Sequence, residues 1–289
     1  MEQLAANERT NGRGAGRRSA ELNEVSPLIL IQDLSKTFES KRGVLHQTIR
    51  DFNLTIARGE FFCLLGPSGC GKTTILNMVA GFEKPTSGRL EMNNKKITQP
   101  GRDRGVVFQG DDSLFDWLTA VQNIEFGLRM RNLSRAQRRE RAMHYLRLVG
   151  LTGQENKHPS ELSGGMKQRI QIARVLANEP EMLLMDEPFG ALDAQTRNIM
   201  QEQLARIWDE NKISVLFITH DIDEAIILGS TIGVMKAGPA SNLKGKVEVR
   251  LSGERRRTDG AFMKYYRKVH DMIREEVIKT IEADASQSA

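Results

Sequence analysis

A glycine-rich segment that ends in a lysine and a threonine is the strongest chemical signal in the sequence. Residues 66–73, Gly-Pro-Ser-Gly-Cys-Gly-Lys-Thr, fit the spacing G-x-x-x-x-G-K-[ST] between an apolar run and a helical pattern. The glycines let backbone N–H groups turn inward and approach a phosphate closely. We expect the helix that begins near Gly71 to add its positive end, Lys72 to reach the β- and γ-phosphates, and Thr73 to bind Mg²⁺. A glycine-rich turn without function would also match, but the strand–loop–helix context favours a nucleoside triphosphate site.

Two acidic residues follow an apolar strand pattern later in the chain. The run from Met182 to Met185 is apolar and is followed by Asp186 and Glu187. The carboxyl end of a parallel strand lies at the sheet edge where ligands bind in open α/β folds. We therefore expect Asp186 to hold Mg²⁺, directly or through water, and Glu187 to orient and deprotonate the attacking water. An acidic pair would equally suit a helix cap, and its combination with the glycine-rich segment is what favours the catalytic role.

A second glycine pair lies between these two motifs. Residues 161–169 have the sequence Glu-Leu-Ser-Gly-Gly-Met-Lys-Gln-Arg. Ser163 supplies a hydroxyl, and Gly164 and Gly165 expose N–H groups at the start of a predicted helix, which makes a second anion site. One chain has little need of two phosphate sites for one ATP.

With these three motifs in this order, the sequence resembles the ATP-binding cassette (ABC) family, whose LSGGQ signature appears here as LSGGM. In that family the signature of one subunit closes on the γ-phosphate held by its partner, so the resemblance implies two composite ATP sites per dimer. Met166 replaces the usual glutamine. We expect little effect, because the phosphate contacts would come from Ser163 and the two glycines.

The resemblance implies roles for four further residues. Phe38 is similar to the aromatic residue that stacks on adenine, although a buried strand residue would look the same. Gln109 is similar to the glutamine that contacts Mg²⁺ and the attacking water. Asp193, at the end of Gly-Ala-Leu-Asp, is similar to the residue that faces the opposite subunit, and His220 is similar to the switch histidine on the γ-phosphate.

The expected cofactors are therefore ATP and Mg²⁺, with three overlapping sets of site residues. The expected nucleotide-binding residues are Phe38, Gly66, Pro67, Ser68, Gly69, Cys70, Gly71, Lys72, Thr73, Thr74, Ser163, Gly164, Gly165 and Asp193. The expected catalytic residues are Lys72, Gln109, Glu187 and His220, and the expected metal ligands are Thr73, Gln109 and Asp186. Cys70 occupies a variable position of its motif, so we also expect it to be structural rather than redox-active.

The periodicity of apolar residues indicates which elements position these motifs. Alternating patterns predict antiparallel strands at Leu28–Phe38 and Gly43–Ile56, and short apolar runs predict further strands. Helices are predicted at 119–130, 134–148, 165–177, 194–211 and 262–281, with capping boxes at Ser134/Gln137 and Asp221/Glu224, and residues 241–259 are a polar stretch. The further strands are predicted at 60–65, 89–92, 105–108, 182–185, 213–218 and 232–235.

The fold class that follows is α/β, a P-loop NTPase with a mostly parallel core sheet, an antiparallel β subdomain and an inserted α-helical subdomain. We expect residues 1–27 to form a disordered tail and residues 28–239 to form the ATPase domain, which the resemblance nearly covers. The helical subdomain is expected at about residues 112–177, and a polar segment and a helix at 240–289.

Composition restricts the environment of the protein. The 289 residues are 39% hydrophobic and 27% charged, with no run long enough to span a bilayer and no signal-peptide pattern at the start. Two cysteines, Cys63 and Cys70, fit a reducing compartment. The net charge of +5 comes from basic residues interleaved with acidic ones, so no binding to nucleic acid is expected.

The segment after Gln109 indicates what the ATPase would drive. Residues 111–119 and Asn123 resemble the corresponding stretch in importer ATPases of the nitrate, sulfonate, taurine and bicarbonate group. That resemblance implies a groove for a helix of an integral membrane permease, and Phe115 and Trp117 are the candidate surface residues, with core packing as the alternative. The implied partners are a second copy or a homologous ATPase subunit, the permease and, indirectly, an extracytoplasmic substrate-binding protein. The implied location is the cytoplasmic face of the cell membrane.

Two other functions are alternatives to the import of a small anion. A soluble ABC ATPase acting on nucleic acid or ribosomes would usually carry a long coiled coil or a second cassette. The interval from Thr73 to Ser163 has no sustained heptads, and one cassette is present. A catalytically inactive regulatory module conflicts with the intact Lys72, Asp186, Glu187 and His220.

Overall fold

The computed structural model describes residues 27–287 apart from 111, 112, 191, 252 and 254. The strands are Ile29–Glu39 (β1), Leu45–Ile56 (β2), Phe61–Leu65 (β3), Ser87–Met92 (β4), Lys95–Lys96 (β5), Arg104–Val107 (β6), Met182–Asp186 (β7), Ser214–Ile218 (β8), Thr231–Met235 (β9) and Leu243–Glu248 (β10). The helices are Lys72–Ala80 (α1), Ala120–Leu128 (α2), Arg135–Leu148 (α3), Gly164–Leu176 (α4), Ala194–Asn211 (α5), Ile222–Leu228 (α6) and Gly260–Gln287 (α7), with a short 3-10 turn at Pro159–Glu161.

A six-stranded sheet forms the centre of the fold, in the order β10-β9-β3-β8-β7-β6. The strands from β9 to β6 run parallel, and β10 pairs antiparallel with β9 at one edge. Every residue of β3, β8 and β9 is buried, as expected for parallel strands covered on both faces. The carboxyl ends of β3, β7 and β8 therefore meet at one edge of the sheet. This arrangement confirms the predicted fold class.

A smaller antiparallel sheet, in the order β2-β1-β4-β5, packs against the central sheet. Its buried residues, among them Ile31, Phe52 and Leu54, belong to the same apolar cluster as Phe62 and Leu64 of β3. Helix α1 contributes Ile75, Leu76, Met78 and Val79 to that cluster. The two sheets and α1 thus share one core, which fixes the phosphate-loop segment between them.

The helices α2, α3 and α4 leave the chain after β6 and return to it before β7. The predicted capping box at the start of α3 is present, because the Ser134 hydroxyl accepts the Gln137 N–H and the Gln137 side chain accepts the Ser134 N–H. The capping box predicted at the start of α6 is present only in its Asp221 half. Asp221 caps the helix, but Glu224 turns inward and accepts hydrogen bonds from Thr219 and Gln201.

The C-terminal part differs from the prediction in one element. Residues 241–259 were expected to be a polar stretch, whereas β10 lies within them and extends the central sheet. Its residues are mostly half-exposed and only Val247 is buried, so the strand has little apolar alternation to reveal it. Helix α7 begins at Gly260, two residues before the predicted start at Phe262, and packs on α6, β9 and β10.

The expected tail, residues 1–27, lies outside the described residues except for Pro27. Among the helices that the structure describes, none combines the length and the apolar character needed to cross a lipid bilayer.

Candidate functional site

The segment 66–73 forms a tight loop between β3 and α1. Gly71, the residue before the helix, has φ 95°, a left-handed conformation that favours glycine. A Cβ at this position would also lie 2.5 Å from Cδ1 of Ile49. Two constraints therefore require glycine at position 71: the left-handed backbone conformation and the close approach of β2.

Lys72 is buried inside this loop. Its ammonium donates hydrogen bonds to the carbonyl oxygens of Gly66 at 2.9 Å and Pro67 at 3.0 Å, and the residue is 8% exposed. The charge is thus held at the N-terminal end of α1, where helix dipoles favour anions. Cys70 is buried with its Sγ 4.0 Å from Sδ of Met235, and burial raises the pKa of its thiol. A neutral, buried thiol agrees with a structural role for Cys70.

Thr73 and Asp186 bring oxygen atoms from α1 and β7 together. Burial raises the pKa of Asp186, a hydrogen bond from Thr73 lowers it, and the neighbouring charge of Glu187 raises it again. The net effect is a raised pKa of Asp186, because a half-buried position at a strand end disfavours the ionised carboxylate. A hydroxyl and a carboxylate are the hard oxygen ligands that Mg²⁺ prefers. Thr73 and Asp186 are therefore the residues here whose oxygens fit such a cation.

Glu187 and His220 face each other from the ends of neighbouring strands. Nδ1 of His220 lies 3.2 Å from Oε2 of Glu187. Glu187 has φ 43°, a strained conformation for a non-glycine residue, and its N–H donates to the carbonyl of Ile218. Both side chains border a small cavity of about 40 Å³, together with Gly190, Arg197, Thr219, Asp221 and Glu224. That volume is enough for a water molecule beside the carboxylate.

A larger cleft of about 420 Å³ opens between Tyr145, Pro180 and Lys212, at the amino-terminal ends of the central strands. It contains none of the predicted site residues. The chemistry-bearing side chains lie at the opposite, carboxyl edge of the sheet, which we take as the candidate site.

Ser163 is the N-cap of α4, and its hydroxyl accepts the N–H of Met166 at 3.4 Å. Ser163 and Gly164 are exposed, whereas Gly165 packs so closely on α5 that a Cβ would lie 2.6 Å from Cγ2 of Thr196. Met166 packs partly buried against the core. The signature turn is therefore a rigid, exposed helix start.

Asp193 lies near the Ser163 turn, and Gln109 lies near the catalytic edge of the sheet. Asp193 caps α5 by accepting the N–H groups of Gln195 and Thr196, and hydrogen bonds from Thr196 lower its pKa. A Cβ added to Gly190 would lie 3.7 Å from the side-chain amide nitrogen of Gln109. Gly190 is two residues before Leu192 in the chain. Ala191 lies outside the described residues. The structure thus places Gln109 beside the segment that leads to Asp193.

Phe38 lies on β1 and is 37% exposed, with the Lys36 ammonium 4.6 Å from its ring centroid. It pairs with His46 of β2. The alternative that Phe38 is simply a buried strand residue is wrong, because more than a third of the residue is exposed.

The segment that follows Gln109 presents aromatic side chains at the surface. Trp117 is 72% exposed and its ring centroid lies 5.1 Å from that of Phe115, which is half-buried against Phe126. Asn123 is fully buried and ties this segment down: its side chain donates to the carbonyls of Phe115, Leu118 and Thr119 and accepts the Phe115 N–H. Core packing therefore explains Phe115 in part and does not explain Trp117.

A second aromatic pair was missed from the sequence. Phe82 and Phe108 stack with centroids 6.0 Å apart, and they are 51% and 47% exposed. Phe82 follows α1 and Phe108 directly precedes Gln109. No periodicity marks either residue, because each stands alone at the end of an element.

Comparisons with known proteins agree with this geometry. The family model described as ABC transporter matches residues 49–190. The nitrate import ATP-binding protein NrtD of Synechocystis sp. is 42% identical over 265 residues, which cover 89% of this chain and 98% of that protein. The chain belongs to the ABC transporter family. The taurine import ATP-binding protein TauB of Pelagibacter ubique is 44% identical over 211 residues, 73% of this chain and 79% of that one.

A solved ABC transporter structure extends the likeness to three dimensions. The dimeric post-hydrolysis state of an ATP-binding cassette bound to ADP and Pi has a TM-score of 0.68 and 32% identity, and covers 77% of this chain and 99% of that chain. As a member of the ABC transporter family with an intact loop at 66–73, this chain is an ATP-binding, ATP-hydrolysing cassette.

Proposed function

We propose that this chain is the ATPase subunit of an importer and works as a pair with a second copy or a homologous subunit. Each ATP is gripped by the loop around Lys72 of one subunit and covered by the Ser163 turn of the other. ATP binding closes the pair and hydrolysis opens it, and the movement drives uptake of a small solute by the membrane partner.

One observation carries this proposal: three strand ends bring the required groups to a single edge. The loop 66–73 follows β3, Asp186 and Glu187 end β7, and His220 follows β8. The contact between His220 and Glu187 and the hydrogen bond from Thr73 to Asp186 join these groups pairwise. Phosphate binding, metal binding and water activation then share one site.

The role that we assign to each of these residues follows from its contacts. Lys72 and the loop from Gly66 to Thr74, whose residues other than Pro67 each offer a backbone N–H, bind and orient the phosphates, while Phe38 stacks on the base. Thr73 and Asp186 would hold Mg²⁺, with Gln109 near it, and the cation would neutralise charge on the transferred phosphoryl group. Glu187 accepts the proton of the attacking water, and His220 holds the Glu187 carboxylate in place and contacts the γ-phosphate.

Sharing between two subunits is supported by the position of the Ser163 turn. Helix α4 packs on the edge strand β6, whereas the loop 66–73 follows β3. Three strand spacings separate β3 from β6, a distance of about 14 Å. An exposed helix start so far to the side is better placed to meet the nucleotide of a second subunit than its own. Asp193 caps α5, the helix on which Gly165 of this turn packs.

Attachment to a membrane permease is supported by the exposed aromatic residues. Single exposed apolar side chains are common on soluble proteins, but here the exposed aromatic residues are paired, Trp117 with Phe115 and Phe82 with Phe108, which makes contiguous apolar surface of the kind that binds a partner. We assign Trp117 to the surface that receives a helix of the permease, with Asn123 fixing its segment. The ATPase then lies on the cytoplasmic face of the membrane, and an extracytoplasmic binding protein delivers the solute to the permease.

The solute class rests on the relatives alone. Proteins named for import of nitrate and of taurine are 42% and 44% identical to this chain. We therefore propose a small anion of the nitrate, sulfonate or taurine type.

The decisive experiment is purification of the tagged full-length chain from detergent-solubilised membranes. We expect an integral membrane protein to copurify in stoichiometric amount, and its extracytoplasmic partner to identify the solute. If ribosomes or nucleic acid copurified in its place, a soluble ABC ATPase would be the better assignment.

A further inference from the structure

A buried carboxylate on the C-terminal helix takes no part in the chemistry described so far. Glu276 of α7 is 1% exposed. Its Oε2 accepts the backbone N–H of Ala237 at 3.0 Å, and its Oε1 lies 2.9 Å from Nζ of Lys244 and 2.8 Å from Nζ of Lys279. A buried acid is retained only when such partners replace water. Here one of the partners belongs to the loop that follows β9.

That loop, residues 236–241, lies directly behind the phosphate loop. Met235, the residue before it, contacts Cys70, and a Cβ on Gly66 would lie 3.0 Å from Cβ of Met235. A Cβ on Gly238 would lie 3.4 Å from the carbonyl oxygen of Gly69. A single methyl group added at Gly238 would already touch the Gly69 carbonyl, so the two loops lie side by side with little free space, and a shift of one toward the other displaces it.

The other side of the 236–241 loop is fixed to the antiparallel sheet. The N–H groups of Ala240 and Ser241 donate to the carbonyls of Gln47 and Thr48 of β2, and Ser241 accepts the Arg50 N–H. The 236–241 loop is thus held between β2 on one side and Glu276 on the other. Without Glu276, the N–H of Ala237 would lose the carboxylate oxygen that accepts it, and α7 would lose this hydrogen bond to the loop.

We propose that Glu276 is a positioning residue for ATP binding: by holding Ala237, it keeps the 236–241 loop pressed against Gly69 and Cys70 and so preserves the shape of the phosphate loop. This inference rests on the assignment of residues 66–73 to the phosphates under the proposed function. It does not depend on the permease or the solute. It gives the C-terminal helix a direct connection to the nucleotide site, through one side chain and one loop.

The test compares three variants of the full-length chain: Glu276→Leu, Glu276→Gln and the matched control Glu275→Gln. Glu275 is the neighbouring acid on the same helix and pairs with the same Lys244, but it is exposed and does not contact Ala237. Affinity for a fluorescent ATP analogue, KM and kcat for ATP hydrolysis, and thermal stability are measured for each.

We expect Glu276→Leu to weaken nucleotide affinity by about five- to tenfold, the factor carried by one hydrogen bond of typical strength. Glu276→Gln keeps an oxygen for the Ala237 N–H, so its affinity should fall by no more than about twofold. Glu275→Gln should bind like the wild type. The loss should appear in KM with little change in kcat, because Glu276 does not contact the reacting atoms.

Hydrogen exchange provides the second measurement, in case the leucine variant does not fold. Glu276→Gln keeps the hydrogen bond to Ala237 but removes its charge, which weakens it, so exchange should rise by a small factor together in residues 235–240 and in residues 66–73. A folded Glu276→Leu protein with wild-type affinity would overturn the proposal, as would faster exchange confined to α7. Lys72→Ala is measured in parallel. If that variant binds nucleotide like the wild type, the phosphate-loop assignment itself fails, independently of the result for Glu276.

Discussion

Nδ1 of His220 lies 3.2 Å from Oε2 of Glu187, although 32 intervening positions separate the two residues in the sequence. The contact exists because β7 and β8 are neighbouring parallel strands whose carboxyl ends are level, with Asp186 paired to Ile218. It leaves the Glu187 carboxylate oriented toward a cavity large enough for water. The pair therefore has the geometry of a base and the group that orients it.

Replacing Glu187 by glutamine tests the base directly. Glutamine keeps the size and one oxygen acceptor but cannot take a proton from water. We expect ATP hydrolysis to fall at least about 100-fold while ATP binding is retained, since general-base catalysis typically contributes this much or more. The bound ATP should then trap a dimer, visible by size-exclusion chromatography.

The matched control is Glu181→Gln. Glu181 precedes the same strand, but it lies at the opposite end and pairs with Arg58. Its replacement should leave hydrolysis near the wild-type rate. Near-normal turnover in Glu187→Gln would remove Glu187 from the role of base.

Replacing Lys72 by alanine removes the charge inside the phosphate loop. We expect nucleotide affinity to fall by at least about tenfold, because charge-assisted hydrogen bonds to phosphate are roughly twice as strong as neutral ones. Titration with a fluorescent ATP analogue measures the change. Lys95→Ala, on the exposed strand β5, is the control and should bind normally.

Sharing of sites between subunits is tested by mixing two inactive proteins. Lys72→Ala damages the loop side of a composite site, and Ser163→Arg places a bulky charge on the signature side. A mixed dimer contains one site with both defects and one with neither, so mixing should restore part of the activity. If heterodimers form, as shown by differential tags, and no activity returns, each site must lie within one subunit.

The docking surface is tested by Trp117→Ala. Because Trp117 is 72% exposed, the free energy of unfolding should change little, by about 0.5 kcal/mol or less. ATP hydrolysis by the isolated chain should be unchanged, whereas copurification of the permease should be lost. Met130→Ala, a comparably exposed apolar residue at 75%, should copurify normally. Retention of the permease by the Trp117 variant would move the interface elsewhere.

Glu276 predicts a pH dependence of stability. Burial alone would raise the pKa of its carboxyl, but hydrogen bonds from Lys279, Ala237 and Lys244 outweigh it and lower the pKa to about 2 from 4.5. A lowered pKa means that the ionised group stabilises the folded state above pH 4.5 and that this contribution is lost as the pH falls from 4.5 toward 2. Urea denaturation should therefore show that the stability difference between wild type and Glu276→Gln shrinks across this window. A constant difference from pH 7 to pH 3 would contradict the ionised state.

Much of the candidate site could be predicted because its motifs combine local spacing with local structure. A phosphate-binding loop at residues 66–73 requires a strand before it and a helix after it, and the apolar spacing of the adjacent residues predicts both elements. The bounds of α5, Ala194 to Asn211, agree with the prediction, since Asp193 is a strong N-cap and apolar spacing continues through the helix. The residues adjacent to motifs of this kind are therefore enough to predict the local structure around them.

The features that sequence analysis missed depend on partners distant in the chain. Strand β10 has one buried residue and forms only because β9 offers an edge. Glu224 was assigned to a capping box, yet Thr219 and Gln201 draw it inward. Glu276 lies in a strongly charged helix, where nothing local distinguishes a buried acid from a solvated one.

The order of strands in the central sheet has one structural implication. The chain leaves β6 to form α2, α3 and α4 and rejoins the sheet at β7, the strand next to β6. The covalent attachments of these helices both lie at one margin of the sheet, so the insertion leaves every strand-to-strand hydrogen bond of the sheet in place. Trp117 precedes α2 and Ser163 precedes α4, so one insertion supplies both the exposed aromatic surface and the second anion site.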